Sequence, residues 1–248
     1  MNSAFPAQVT QSPQAEVLEA AFQALKTYAA GSSRGLLMPI DEAVAASLKD
    51  PTARVRLERR LVSALQSGGS VAARDYICAK LTVMGTEGSA SVLAEVSSDV
   101  QTNTAARNAL EAIPDQAAAK HLRESLPKLP ALQKVGAINS LGVRRDQQSV
   151  KALLRLLRDP NLVIVSAAVA ALGRIGTPTS GQALRAFRKR APRQVIPALD
   201  DATLVCADYL LETGHRREAT QLYQTLTALD RPSHVRESAH RGIQKATG

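Results

Sequence analysis

Tryptophan is absent from the 248 residues, and aromatics make up only 3% of the chain. Stacking platforms for single-stranded nucleic acid, and aromatic clefts for sugars, need more than Phe5, Phe22, Tyr28, Tyr76, Phe187, Tyr209 and Tyr223 supply. Tyr76, Tyr209 and Tyr223 read instead as inter-helix packing. Cysteine is scarce: Cys78 and Cys206 each lie in an apolar stretch, with neither a disulfide framework nor metal-type spacing. Neither has a histidine nearby in sequence to act as a base for nucleophilic catalysis. The four histidines do not converge, and His234 and His240, six residues apart, fall on divergent faces of a helix. No metal and no cofactor are expected. The Gly-Thr turns at 85–86 and 176–177 lack the Gly-Lys-Ser/Thr continuation of a phosphate loop. Asp41–Glu42 and Asp200–Asp201 read as acidic helix starts, not as acid/base pairs, because neighbours on a helix face apart. No apolar run reaches the roughly 18 residues of a membrane span, and Met1 to Gln14 lack the regions of a signal peptide. The sequence leaves the compartment open: as it stands it fits a soluble cytoplasmic protein, and a periplasmic one if Met1 follows a removed signal segment. These absences together predict a protein that is not an enzyme.

What is present is a repeat. Hydrophobic residues make up 45% of the chain, and Ala and Leu dominate them, both strong helix formers. Stacking Leu81, Leu110, Leu141, Leu172 and Leu210 gives one frame, with gaps of 29, 31, 31 and 38 residues. Four residues before each leucine sits a small or apolar side chain: Ile77, Ala106, Ala137, Ala168 or Cys206. Four residues after stands a helix terminator, Gly85, Pro114, Gly176 or Gly214, with Arg145 as the exception. The frame continues weakly to Ile243. Asp-Pro steps at 50–51 and 159–160 separate helices. The periodicity predicts about seven antiparallel helix pairs: 13–29 with 36–49, 53–67 with 70–84, 88–98 with 101–113, 115–127 with 131–143, 147–158 with 161–175, 178–190 with 199–213, and 215–229 with 233–246. No convincing strand is present. One such pair cannot bury its apolar face alone, so the units must stack into a solenoid whose stability sums over repeats and interfaces. A flexible N-terminus over 1–12 precedes a single array over 13–248, with loops at Gly31–Gly35 and Arg190–Pro197 as its weak points.

The helix endings resemble the short HEAT-like repeats named after phycobilisome lyases, most closely at Leu172-Gly173-Arg174-Ile175-Gly176-Thr177-Pro178 and Val83-Met84-Gly85-Thr86. The order of blocks, with Ala73–Thr86, Ala-Ile-Pro-Asp at 112–115 and Ile138–Gly142 followed by Arg144-Arg145-Asp146, is similar to HEAT-repeat proteins of planctomycetes and related bacteria. Residues 207–246 also hold tetratricopeptide-like spacing. The resemblance implies an all-α fold, an α-α superhelix of the HEAT-like kind, whose second helices line a concave face. Enzymes of this architecture do not match: deoxyhypusine hydroxylase needs His-Glu pairs, whereas the residues after the histidines here are Leu122, Arg216, Val235 and Arg241. HEAT-like alkylpurine DNA glycosylases rely on aromatics, including Trp, beside the lesion, and nothing assigns a chromophore partner of the phycobilin-lyase kind.

The formal net charge is +9. Residues 1–50 carry three basic and five acidic side chains, a net −2, so the other 198 residues carry +11. A basic body admits nucleic acid, acidic proteins or anionic membranes as partners. Two clusters rise above background: Arg185, Arg188, Lys189, Arg190 and Arg193 at a helix end, and Arg74, Arg107 and Lys134 early in three successive second helices. With Arg144 and Arg145 they form the candidate binding surface. The expected function is a non-catalytic scaffold for protein–protein interaction through the concave surface. The alternative is binding of nucleic acid or another polyanion through a basic concave face. Helix 233–246 is charged enough to cap the array, but the abrupt end at Gly248 predicts either a fragment of a longer solenoid or end-to-end packing.

Overall fold

The structure, a computed structural model, describes residues 13–247, and the flexible segment expected at 1–12 lies outside them. Fourteen α-helices follow in order: α1 (Pro13–Thr27), α2 (Met38–Ser47), α3 (Pro51–Gln66), α4 (Val71–Met84), α5 (Glu87–Val96), α6 (Asn103–Ala112), α7 (Gln116–Ser125), α8 (Ala131–Val143), α9 (Val150–Leu156), α10 (Leu162–Ile175), α11 (Pro178–Arg188), α12 (Ile196–Glu212), α13 (Arg216–Gln224) and α14 (Ser233–Thr247). Short 3-10 turns at Arg34–Leu37, Gln147–Ser149 and Arg193–Val195 lead into α2, α9 and α12. There is no strand among the described residues, and no helix among them is long and apolar enough to cross a membrane. All seven predicted pairs form, and each first helix packs on the second helix of its pair.

Local chemistry explains where the helices begin. The side chains of Asp50, Ser70, Thr86, Asp115, Asn161 and Thr177 accept backbone N–H bonds at the starts of α3, α4, α5, α7, α10 and α11. Pro39, Pro51, Pro178 and Pro197 stand in first turns, where a missing N–H costs nothing. This corrects one boundary. The segment up to Pro197 was expected to be loop, but α12 starts at Ile196, because Pro197 opens the helix there.

Packing then arranges the pairs in two layers. The first helices form one layer, and α4, α6, α8, α10, α12 and α14 form the other, each touching the next. Leu81, Leu110, Leu141, Leu172 and Leu210 are each 0% exposed, so the frame leucines form the seam between the layers. Burial of each contributes about 1.5–3 kcal/mol. Ile243, where the frame weakens, is only partly buried.

The second helices pack extensively at α8, α10 and α12, through the residue after two frame leucines. A Cβ on Gly142 would lie 2.9 Å from Ala171 Cα, and one on Gly173 would lie 2.6 Å from the Ala202 carbonyl oxygen. The helices end as the frame requires. Gly176 and Gly214 are left-handed, with φ of 67° and 84°. Arg145, the exception in sequence, takes the same conformation at φ 49°. The equivalence is exact in hydrogen bonding: Asp146 N donates to Leu141 O and His215 N donates to Leu210 O, each five residues past its frame leucine.

Gly173→Ala is expected to overpack the α10–α12 contact and lower stability by about 1–3 kcal/mol, read as an earlier urea unfolding midpoint with helicity retained below it.

Candidate interaction surface

With about 100° of turn per residue, the positions nine, five and two before each frame leucine, and two after it, lie on the opposite side of the second helix. On α8 this face holds Leu132, Gly136, Asn139 and Val143, and on α10 it holds Val163, Ala167, Ala170 and Arg174. On α6 it holds Ala105, Asn108 and Ala112. Leu132, Val143 and Val163 are 80%, 53% and 63% exposed. The ridge of these positions is therefore small and nearly uncharged from α6 to α10, with Arg174 the one cation among them, although Ala167 is buried and Arg107 packs against Gly136. On α12 it turns acidic: Asp201, Asp208 and Glu212 are all exposed around Val205, and Tyr223 Oη donates to Asp208 at 2.5 Å.

The candidate cations of this layer are not on that ridge. Seven and three residues before the frame leucine correspond to roughly 20° and 60° from it, so Arg74, Lys134 and Arg107 lie on the leucine's own side, toward neighbouring helices. Arg74 forms an ion pair with Asp99. Arg107 donates to Ser140 Oγ at 2.8 Å and lies 3.6 Å from Glu111. Gly136 makes room for it, since a Cβ there would be 2.8 Å from Arg107 Nε. Lys134 is half-buried. Arg144 donates to the carbonyls of Leu110, Glu111, Ile113 and Asp115, capping the end of α6. Burial lowers its pKa, with Asp146, Asp115 and Glu111 acting in the opposite sense. Arg145 donates to the Arg174 carbonyl and stacks 3.7 Å over the Tyr209 ring.

The 185–193 cluster is dispersed. Arg188 pairs with buried Asp200 at 2.6 Å, which Arg231 also approaches at 3.8 Å. Arg185 donates to Gln221 at 3.2 Å, and Arg190 lies 5.7 Å over the Phe187 ring. Lys189 and Arg193 are exposed. The ten candidate residues thus occupy two layers and do not converge. Asp200, read as an acidic helix start, is instead a buried ion-pair partner in the second turn of α12, because the helix begins four residues before it.

The nucleophilic and metal-ligating types are scattered. Cys78 and Cys206 are buried, and burial pushes both thiols up to about 12. His121 is half-buried in α7, His215 begins α13, and His234 and His240 are exposed on α14. Among the described residues no three His, Cys, Asp or Glu side chains are grouped to hold a metal ion. Tyr76 packs as expected: it is buried, and its Oη donates to Asp41 at 2.7 Å. Sequence reading overlooked the small-residue ridge, whose signal was the angular position opposite the frame leucine. It also overlooked Lys151, Arg155 and Arg158, whose signal was a spacing of four and three.

Residues 130–199 match the family model for HEAT repeats. Among solved structures, the chain is similar to the archaeal HEAT-like repeats protein from Thermococcus onnurineus NA1, at 13% identity and TM-score 0.52, covering 99% of this chain and 98% of that one. It is also similar to the complex of CpcE and CpcF of phycocyanin lyase from Nostoc sp. PCC7120, at 16% identity and TM-score 0.45, covering 99% of each chain. A third similarity is to human deoxyhypusine hydroxylase in complex with glycerol, at 16% identity and TM-score 0.38, covering 94% of this chain and 96% of that one. No curated protein matches the sequence. The first structural likeness establishes a shared HEAT-like fold.

Asp200→Ala should leave Arg188 without its carboxylate and cost about 3–5 kcal/mol, measured by chemical denaturation. Asp201→Ala, one residue along and exposed, should change stability by no more than about 0.5 kcal/mol.

Proposed function

Taking the HEAT-like repeat fold as premise, we propose that this protein is a non-catalytic scaffold that receives a protein partner along the outward ridge of its second helices, the concave side in arrays of this kind. The observation that carries the reading is the ridge itself: small side chains with exposed Leu132, Val143, Val163 and Val205 spaced along it. Small residues let a partner's backbone come close, and the exposed aliphatic groups supply apolar area that a partner would cover. The size suits a stable complex. Four second helices, each about 9–10 Å wide and with about 18 Å of exposed length, span roughly 700 Å², close to the ~800 Å² per partner of a standard interface. The acidic end at Asp201, Asp208 and Glu212 would orient a partner with a complementary basic end. The same carboxylates weigh against a polyanion on this face, as do the engaged charges of Arg74 and Arg107.

Leu132→Asp combined with Val163→Asp tests the reading. Both side chains are exposed, and both stand in the first turn of a helix, where a carboxylate suits the dipole, so thermal stability should be unchanged. Affinity capture from the source cells with the native chain should retain a protein that the double variant loses. Recovery of the same proteins by both forms, or of nothing by either, would overturn the assignment.

A further inference from the structure

The first-helix layer is not closed everywhere. α5 and α7 pack along each other, whereas α9 and α11 touch sparsely, and a cleft of about 750 Å³ opens between them. α9 is only seven residues long, and α11 faces it with Ala183 and Ala186, which are too small to fill the gap. The floor is apolar, made of Leu154, Leu157 and the Phe187 ring. The rim is not. Lys151, Arg155 and Arg158 recur at four and three residues on one wall, and Arg190 stands on the other. No acidic side chain lines the cleft, and the carboxylate of neighbouring Asp159 accepts the backbone N–H of Asn161 at 2.9 Å.

Helix dipoles explain part of this arrangement and leave part unexplained. Arg155, Arg158 and Arg190 stand at or just past helix C-termini, where cations are favoured. Lys151 does not: it is in the first turn of α9, at the positive end of the dipole, beside a wall of like charge. Four exposed cations around an apolar lining are complementary to a ligand that brings both carboxylates and apolar groups.

We infer that the α9–α11 cleft is a docking site for an acidic polypeptide segment carrying apolar side chains at helical spacing. Aliphatic side chains of the segment cover Leu154, Ala183 and Ala186, the apolar lining still open to solvent, and its carboxylates pair with the rim. A nucleic acid fits less well. Phe187 is 3% exposed and offers no ring for base stacking, and a phosphate chain would leave the apolar floor uncovered. This site lies on the layer opposite the second-helix ridge and does not depend on the function proposed above. The Leu132→Asp, Val163→Asp form should bind here undiminished, so the two readings fail separately.

The test is selection from a random-peptide display library on the intact chain. It is followed by affinity measurement of enriched peptides on the native protein, on Arg155→Glu combined with Arg158→Glu, and on Ala186→Glu. All three substituted side chains are exposed, and unchanged circular dichroism melting would confirm an intact fold. Enriched peptides should be rich in Asp and Glu with apolar residues three or four apart. They should weaken with added salt and lose at least about tenfold in affinity to either variant. A polyglutamate of equal length should bind at least about tenfold more weakly than they do. Failure to enrich any sequence, enrichment of non-acidic peptides, equal binding by the variants, equal binding of polyglutamate, or tighter binding of a duplex oligonucleotide would each overturn the proposal.

Discussion

At Gly142 and Gly173 the main chain of one second helix rests almost directly on Ala171 and Ala202 of the next. That approach sets the spacing of α8, α10 and α12, and through it the direction of every other side chain on those helices. With the frame leucines turned inward and fully buried, much of the face opposite the leucines of α6, α8, α10 and α12 is left outward. The sides of each helix are pressed toward neighbours, where a charge must find a partner or lose its hydration. The first helices are not held so closely, and between α9 and α11 the layer opens.

This constraint changes what a net charge of +9 means. Several cations act within the solenoid and not at its surface. Arg54, at the start of α3, donates to the carbonyls of Met84 and Gly85 at the end of α4, and Arg216 reaches Ala246 at the end of α14 in the same way, about thirty residues on in each case. Arg144 and Arg145 cap α6 and α10 across the repeat boundary. These guanidinium groups satisfy carbonyls that a helix end leaves without donors, and they favour the negative end of the dipole. Buried acids do the complementary work. Glu58 accepts from Thr86 at 2.7 Å, Asp146 from Arg123 at 2.7 Å and Asp200 from Arg188 at 2.6 Å. The charge left for recognition is therefore smaller than the composition implies, and it is segregated: neutral to acidic on the second-helix ridge, basic around the first-helix cleft.

Periodicity was readable in the chain because it is a local property. A leucine every thirty or so residues, preceded by a small side chain and followed by a stop, specifies seven helical hairpins whatever they pack against. Arg145 shows how far this goes, since it occupies the stop position without being glycine and still adopts the left-handed turn. Angular position on a helix is equally local, and it places Arg74 and Arg107 on the leucine side. Where the first turn of α12 lies was harder to see, because Pro197 suits a loop and a helix start equally well. The early start carried Asp200 inward to meet Arg188.

By itself, then, the amino-acid sequence determined the helices, their pairing and the buried seam, all of which follow from side-chain spacing along one strand of chain. Which charges are engaged and which face solvent was decided only by tertiary structure. An arginine's partner is thirty residues away, as with Arg144 and the end of α6, and the distance between two helices depends on backbone contacts made elsewhere. The opening between α9 and α11 is of this second kind, since neither helix encodes a gap and only their placement on α10 leaves one.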